Sequence, residues 1–281
     1  MDLGEMDLAD VERIGTVVAG GGQAGLVIGY YLRRHGEPFV ILEADGRVGD
    51  SWRRRWDSLR LFTFPRYASL PGWHIPVETC PTRDQMADYL EQYATRFDLP
   101  VRTGVRVTRV SRHGELFLVQ TDHGRYLADQ VVLASGAHQR QRTPSFASSL
   151  DPSIRQIHSL DYRHPGQLAP GNVLVVGAGN SGTDIALDAA ESHDTWLAGR
   201  HPGQVPVDID SARARPGIPI VMFVFKHLLT LRTPMGRARR PDALQHGAGL
   251  IRNKLEHLDA ARALLADHAP LIGVDPSGVH A

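Results

Sequence analysis

Several features that would assign this chain to a common class of protein are scarce in it. Cys80 is the only cysteine among 281 residues, so the chain can form neither an intramolecular disulfide nor a redox-active cysteine pair. Lys plus Arg and Asp plus Glu balance at 31 each, without the basic surplus that is typical of nucleic-acid-binding proteins. The longest apolar run, residues 218–231, is interrupted by Lys226 and His227. It is too short to span a bilayer, and we expect it to be a buried or pocket-lining segment.

Signals for export and for metal binding are also lacking. Residues 1–13 are acidic and have no apolar core, so they do not resemble a signal peptide. Together with the single cysteine, this predicts a soluble cytoplasmic protein without a membrane partner. The 14 histidines are scattered and lack the compact spacing of metal ligands, so no metal site is predicted. Hydrophobic residues at 42% and charged residues at 22% are ordinary values for a folded globular chain.

A glycine-rich loop near the N-terminus has the sequence surroundings of a phosphate-binding turn. Residues 14–19 form an apolar, β-branched run typical of a buried strand, and residues 20–25 satisfy G-x-G-x-x-G. A helical pattern follows, and Gly36 supplies the helix stop. Residues 38–43 then predict a second buried strand that ends in an acid. The predicted cofactor-binding residues of this unit are Gly20, Gly22, Gln23, Ala24, Gly25 and Glu43.

Each of these residue types has a physical reason to stand where it does. Gly20 allows a tight turn, Gly22 allows the backbone to approach a pyrophosphate, and Gly25 allows the helix to pack on the strand. The pyrophosphate is then stabilised by the N–H groups and the dipole at the helix N-terminus. The Glu43 carboxylate can accept hydrogen bonds from a ribose diol. A structural turn without a ligand is the less favoured interpretation of this order of elements.

The same unit is repeated in the second half of the chain. Residues 172–176 predict a strand, residues 177–182 repeat the glycine spacing, residues 183–191 have helical periodicity, and residues 195–198 predict the next strand. The predicted cofactor-binding residues of this second unit are Gly177, Gly179, Asn180, Ser181, Gly182 and Arg200.

The two units differ in the charge that follows the second strand. Glu43 lies eighteen residues after Gly25, and Arg200 lies eighteen residues after Gly182. A carboxylate there would repel a ribose 2′-phosphate, whereas a guanidinium can bind it with two hydrogen bonds. The first unit therefore suits FAD and the second NADPH, which implies hydride transfer between two cofactors. The alternative for Arg200 is a solvated surface arginine.

Beyond the two loops, residues 14–258 resemble the soluble bacterial flavin-containing monooxygenases. Residues 49–52 (GDSW), 58–63 (SLRLFT) and 131–136 (VVLASG) resemble segments that line the flavin or link the two cofactor domains in that family. The family often has an asparagine where Phe62 and Thr63 stand here, which leaves the oxygenating step open. By this resemblance, the further FAD-binding residues are Ser51, Trp52, Thr63 and Val107. Residues 101–110 are expected to form one strand, whose backbone contacts the FAD adenine in that family.

The resemblance continues into the connector between the units and fades after residue 258. His158 and Tyr162 match half of a family motif that lies between the cofactor domains, so His158 is a candidate domain-coupling residue, although a polar linker residue is equally compatible. The family's returning C-terminal strand has no counterpart before residue 281. We therefore expect a chain that lacks the C-terminal part of the family.

These observations predict an α/β protein with two Rossmann-like, doubly wound dinucleotide-binding domains. Residues 1–165 are expected to bind FAD, and residues 166–281 are expected to form an NADP-binding domain that is incomplete at its C-terminus. The resemblance implies a monooxygenase that uses FAD, NADPH and O2 on a small organic substrate. The alternatives are an NADPH-dependent flavin reductase or oxidase, and a truncated nucleotide-binding protein without turnover.

Overall fold

The computed structural model describes residues 11–137, 140–199, 217–238 and 262–265. The chain divides into two compact units. Residues 1–55 and 63–141 form the first, and residues 56–62 and 142–281 form the second. The domain boundary at residue 165 stays a prediction from the sequence.

The first unit is built on a six-stranded mixed sheet with the strand order β3-β2-β1-β6-β5-β4. Strands β3, β2, β1 and β6 run parallel, whereas β4, β5 and β6 form an antiparallel meander. The strands are β1 (Val11–Ala19), β2 (Phe39–Glu43), β3 (Val101–Thr103), β4 (Val107–His113), β5 (Leu116–Thr121) and β6 (Gly124–Leu133), and the helices are α1 (Gln23–His35), α2 (Asp50–Arg53), α3 (Pro65–Ala68) and α4 (Arg83–Arg96).

Strands β1 and β2 lie in the interior of the sheet, with neighbouring strands on both sides, and their residues are largely apolar. Val17, Val18 and Ile41 are fully buried, as the continuous apolar runs predict for parallel strands that are covered on both sides. Helix α1 packs closely on this layer, since a Cβ atom at Gly29 would lie 2.7 Å from Cδ1 of Ile41. Only residues 20–22 separate the end of β1 from the start of α1.

Helix α4 begins with a capping box and packs an aromatic face against the rest of the first unit. The Thr82 hydroxyl accepts a hydrogen bond from the Gln85 N–H, and the Gln85 side chain accepts one from the Thr82 N–H. Tyr89 and Tyr93 are buried on the face that packs inward, and their hydroxyls donate to the carbonyl oxygens of Trp73 and Pro71. Burial, chiefly, raises the pKa values of both phenols. These contacts attach the loop between α3 and α4 to the helix.

Two expectations about the first sheet are corrected. A parallel doubly wound sheet was expected, but the antiparallel meander makes the sheet mixed. Residues 101–110 were expected to form one strand and instead form β3 and β4, because the chain turns after Thr103. The Gly104 N–H donates to the Asp45 carbonyl, and the Val105 N–H donates to the Glu43 carbonyl. The turn is therefore set by hydrogen bonds to the segment that follows β2, which local periodicity does not reveal.

The second unit contains a small parallel sheet with the order β7-β8-β9. Ile185, Ala186 and Ala189 of its helix α5 are buried, and Ala186 packs with Leu197 of β8. The described residues thus include one strand–helix–strand unit and a third strand, but not a complete second Rossmann domain. The elements are β7 (Val173–Val176), α5 (Asn180–Ala190), β8 (Thr195–Gly199), α6 (Ile218–Phe223) and β9 (Arg262–Leu265), with short 3-10 turns at Ser145–Ser149 and Pro165–Gln167.

The apolar run at residues 218–231 is helical at first and then continues as a π-helical turn, Val224–Leu228. The run was expected to be buried or to line a pocket. Burial does not hold for Ile220, Phe223 and Leu231, which are each more than half exposed, and the pocket-lining alternative stays a prediction. None of the helices among the described residues combines the length and hydropathy needed to cross a membrane.

Candidate dinucleotide-binding site

The first glycine loop leaves β1 through a conformation and a packing that only glycine allows. Gly20 has a φ of +113°, and a Cβ atom there would lie 2.5 Å from the Ala134 carbonyl oxygen. A Cβ atom at Gly25 would lie 1.9 Å from the Gly20 carbonyl oxygen. At Gly22, by contrast, a Cβ atom would meet nothing within 4 Å. The loop is therefore packed tightly against the protein at two glycines and opens to free space at the third.

The second glycine loop has the same geometry. Gly177 has a φ of +108°, a Cβ atom at Gly182 would lie 1.7 Å from the Gly177 carbonyl oxygen, and a Cβ atom at Gly179 would meet nothing. The N-cap residues of the two helices also agree, with φ/ψ of −78°/−170° at Gly22 and −77°/−178° at Gly179. The predicted internal repeat is thus confirmed at the level of backbone geometry.

Both helix N-termini present backbone donors without a capping side chain. Among the described residues, no side-chain hydrogen bond caps α1 or α5, and neither helix has an acidic residue in its first turn. The first N–H groups of a helix have no intrahelical acceptor, so this arrangement favours a bound anion. Gln23, Ala24 and Ser181 are exposed and Asn180 is half-buried, so the first turns are accessible. At Gly22 and Gly179 a Cβ atom would meet none of the described residues within 4 Å, so a ligand can approach the backbone closely at both positions.

Glu43 lies at the first loop. Its carboxylate accepts hydrogen bonds from the Gly21 N–H at 2.6 Å and from the Asp45 N–H at 2.9 Å. The side chain is half-buried, so part of the carboxylate remains accessible. The structure therefore brings the predicted acid to the predicted phosphate loop.

The segment with Ser51 and Trp52 is joined to the same region through an ion pair. The Arg54 guanidinium, which follows α2, donates to the Asp45 carboxylate at 2.6 Å, and this hydrogen bond raises the pKa of Arg54. Ser51 is exposed and Trp52 is half-buried on α2. The link between Asp45 and Arg54 was not predicted from the sequence, because it depends on how α2 folds back towards the end of β2.

The remaining predicted residues are less informative. Thr63 is half-buried in the loop before α3, and Val107 begins β4 and packs against the core of the first sheet. For neither residue do the described parts of the chain give a contact with the first glycine loop. Arg200 lies outside the described residues. Gly199 ends β8 next to the second loop, since a Cβ atom there would lie 2.7 Å from the Ala178 N atom.

The connector before β7 is anchored to the helix of the second loop. The Tyr162 hydroxyl donates to the Asp188 carboxylate on α5 at 2.7 Å, and Tyr162 is 3% exposed. Burial and, next, the neighbouring Asp188 raise the pKa of Tyr162. The Arg163 carbonyl accepts from the Asp57 N–H at 2.7 Å. His158 accepts a hydrogen bond from the Leu160 N–H within the connector, so the contact with α5 is made by Tyr162.

A parallel strand, a glycine loop and a helix that occur twice with one geometry define an α/β dinucleotide-binding protein. The chain belongs to the pyridine nucleotide-disulphide oxidoreductase family, which matches residues 17–204. Members of this family use FAD and NAD(P)H. Cys80, the single cysteine of this sequence, is buried.

The known proteins most informative for this chain are oxidoreductases and flavin monooxygenases. An oxidoreductase called CzcO-like from Geobacillus kaustophilus is 43% identical over 190 residues, which are 67% of this chain and 55% of that protein. The solved flavin-containing monooxygenase from Stenotrophomonas maltophilia is 30% identical, with a TM-score of 0.70, over 90% of this chain and 70% of that one. An oxidized steroid monooxygenase bound to NADP is 26% identical, with a TM-score of 0.57, over 75% of this chain and 43% of that one. The chain thus spans about half the length of the first of these proteins.

Proposed function

We propose that this protein is an FAD- and NADPH-dependent monooxygenase that inserts one oxygen atom from O2 into a small organic substrate. The observation that carries the proposal is the pair of glycine loops with one backbone geometry in a single chain. Two dinucleotide sites serve hydride transfer between two cofactors. The likeness to flavin monooxygenases supports this class among the oxidoreductases.

In this proposal the first loop holds FAD. The N–H groups that begin α1 bind the diphosphate in the open space at Gly22. Glu43 binds the ribose diol, because a carboxylate has about four lone-pair positions and two of them already accept backbone N–H groups. Trp52 on α2 packs against the flavin. Bound FAD would supply hydride acceptance and the reaction with O2, whereas the protein supplies binding, orientation and exclusion of water.

In the second loop the N–H groups that begin α5 bind the diphosphate of NADPH. The open space at Gly179 leaves room for it. Arg200 binds the 2′-phosphate, since a guanidinium offers two parallel donors to a phosphate and balances its charge. Along the sequence, Glu43 ends the strand that follows the first loop, and Arg200 stands directly after the strand that follows the second. This difference in charge supports the assignment of FAD to the first loop and NADPH to the second.

A second candidate function is an NADPH-dependent flavin reductase or oxidase that releases peroxide. The observation that favours it is the pair Phe62 and Thr63, which stand where the resembled family often has an asparagine. Neither a phenyl ring nor a hydroxyl supplies the side-chain amide of an asparagine, and Phe62 is 53% exposed. Such an enzyme would use both nucleotide sites but would not transfer oxygen to a substrate.

The test is a visible absorption spectrum of the FAD-loaded protein before and after NADPH is added in air. We expect flavin bands that bleach and then recover, together with an oxygenated sulfide or amine that mass spectrometry detects. Peroxide in an amount equal to the NADPH consumed, without product, would establish the oxidase instead. A protein that cannot be loaded with FAD would refute both functions.

A further inference from the structure

Helix α2 is attached to helix α4 by the side chain of Arg53. One guanidinium nitrogen, Nη2, donates to the Asp88 and Glu91 carboxylates of α4 at 2.7 Å each. The other, Nη1, donates to the Val48 carbonyl at 2.9 Å and to the Asp50 carboxylate at 3.3 Å. The Arg53 side chain is only 15% exposed. One side chain therefore joins the loop before α2, α2 itself and α4.

The backbone around α2 shows why this attachment matters. Helix α2 has four residues, too few to be stable on its own. Its N-cap, Gly49, has a φ of +88°, and a Cβ atom there would lie 2.6 Å from the Ala87 carbonyl oxygen. The segment thus lies directly against the α4 backbone, and its position is set by contacts with α4.

The positive charge of Arg53 also offsets the repulsion between the carboxylates of α2 and α4. Asp88 and Glu91 approach the same nitrogen atom, and Asp50 is bound to the other, so three carboxylates surround one cation. Burial opposes the charge on the guanidinium, but the hydrogen bonds to Asp88 and Glu91 outweigh it and raise the pKa of Arg53. Without the cation, the carboxylates of α2 and α4 would repel one another at close range.

We infer that Arg53 is a positioning residue for FAD binding, which holds Ser51 and Trp52 at the first dinucleotide site by joining α2 to α4. Arg53 need not touch the cofactor for this, because its four acceptors are all protein oxygens. The inference rests on the proposed FAD site. A purely structural role would weaken the whole unit, whereas a positioning role changes FAD affinity and the local exchange of α2.

Three variants separate these roles. Arg53→Met removes the charge and keeps an apolar stem, and Arg53→Lys keeps the charge but cannot bind all four acceptors. Arg47→Met is the matched control, because Arg47 also pairs with Asp50 but has a half-exposed side chain. FAD affinity of the apoprotein is measured by quenching of flavin fluorescence, and NADPH affinity serves as an internal control. Amide hydrogen exchange follows the N–H groups of Arg53 and Arg54, which close α2.

We expect Arg53→Met to raise the Kd for FAD at least tenfold and to leave the Kd for NADPH within twofold of the original. The Kd of Arg53→Lys for FAD should lie between those of the original protein and of Arg53→Met. Arg47→Met should change neither the Kd for FAD nor that for NADPH by more than twofold. In the apoprotein of Arg53→Met, exchange at α2 should be at least tenfold faster, with α1 unchanged. Replacing Asp88 and Glu91 by Asn and Gln in the Arg53→Met background should restore part of the FAD affinity, because the repulsion is then removed.

Unchanged FAD affinity and unchanged α2 exchange in folded Arg53→Met protein would overturn the inference. Equal losses for FAD and NADPH, with faster exchange throughout the first unit, would also overturn it, since that result describes general destabilisation. If Arg53→Met does not fold, Arg53→Lys decides by the same measurements. If the unaltered protein binds no FAD, the proposed function fails, whereas the exchange data on the apoprotein still report whether Arg53 holds α2.

Discussion

Gly22 offers a direct test of the first dinucleotide site, because the structure separates ligand binding from folding at this residue. Its backbone, at φ −78° and ψ −170°, is an extended conformation that valine also adopts. A Cβ atom there would meet no atom within 4 Å in the part of the chain that the structure describes. Gly22→Val should therefore leave the stability of the apoprotein unchanged or raise it by about 0.5 kcal/mol through reduced freedom of the unfolded chain. The new side chain fills the space that we assign to the diphosphate.

The loss of FAD affinity follows from the contacts that the side chain would displace. A hydrogen bond between a backbone N–H and a charged phosphate contributes about 1.5–3 kcal/mol. Displacing one such bond lowers affinity roughly 10- to 150-fold, and displacing two abolishes retention during purification. Gly25→Ala gives the contrasting result. Its Cβ atom would lie 1.9 Å from the Gly20 carbonyl oxygen, so the loop must shift. We expect a loss of about 1–3 kcal/mol of folding stability in the apoprotein.

The assay combines flavin content after reconstitution with urea unfolding of the apoproteins. The reasoning requires that Gly22→Val loses FAD and keeps its unfolding midpoint, and that Gly25→Ala loses stability even without FAD. Wild-type flavin content in Gly22→Val would show that the space at Gly22 is not the diphosphate site. A large loss of apoprotein stability in Gly22→Val would show that this space is needed for folding and is not reserved for a ligand.

Three further predictions follow from single contacts or charges. Arg200→Glu should weaken NADPH binding by about 1–3 kcal/mol and NADH binding far less, and equal losses in a titration with both nucleotides would exclude Arg200 as the phosphate-binding residue. Tyr162→Phe should lower the free energy of unfolding by about 1–2 kcal/mol, because its hydroxyl donates to the Asp188 carboxylate from a buried position, and an unchanged urea midpoint would contradict this. Arg102 lowers the pKa of Glu12, chiefly through their hydrogen bond, so the pair stabilises the fold above the ordinary pKa of glutamate and loses this contribution as the pH falls through the lowered value. Glu12→Gln should lower the free energy of unfolding by about 0.5 kcal/mol at neutral pH and reduce the loss of stability at acid pH. Identical plots of unfolding free energy against pH for both proteins would refute the stabilising role of this ion pair.

Local signals along the chain were sufficient where the fold depends on local geometry. The apolar run at residues 14–19, the glycine spacing and the helix stop at Gly36 predicted β1 and α1, and the structure extends these elements only by a few residues. The repeat of the same pattern predicted β7, α5 and β8 in the same way. These elements follow from side-chain periodicity and from backbone positions that only glycine fills, which are properties of short stretches.

Signals of this kind failed where a distant segment decides the structure. Residues 101–110 have the composition of one strand, but hydrogen bonds to the end of β2 turn the chain between β3 and β4. The partners of Arg53 on α4 lie 35 and 38 residues away in the chain. Arg53 was therefore not among the predicted site residues, although its neighbours Ser51 and Trp52 were. The charge of Arg53 next to Ser51 and Trp52 could have marked it as a candidate, but the sequence does not show that its partners are Asp88 and Glu91.

The sequence by itself determined the two glycine loops, the acid after the first strand pair, and the class of cofactor that these residues suit. Those features are local, because a tight turn, a helix N-terminus and a terminal carboxylate lie within about thirty residues of one another. Only the tertiary structure showed that a Cβ atom at Gly25 or Gly182 would lie less than 2 Å from a carbonyl oxygen of the preceding loop, that the Glu43 carboxylate accepts a hydrogen bond from the Gly21 N–H, and that the Tyr162 hydroxyl donates to Asp188 on α5. These facts depend on which surfaces meet when the chain folds, and the spacing of residues along the chain does not contain that information.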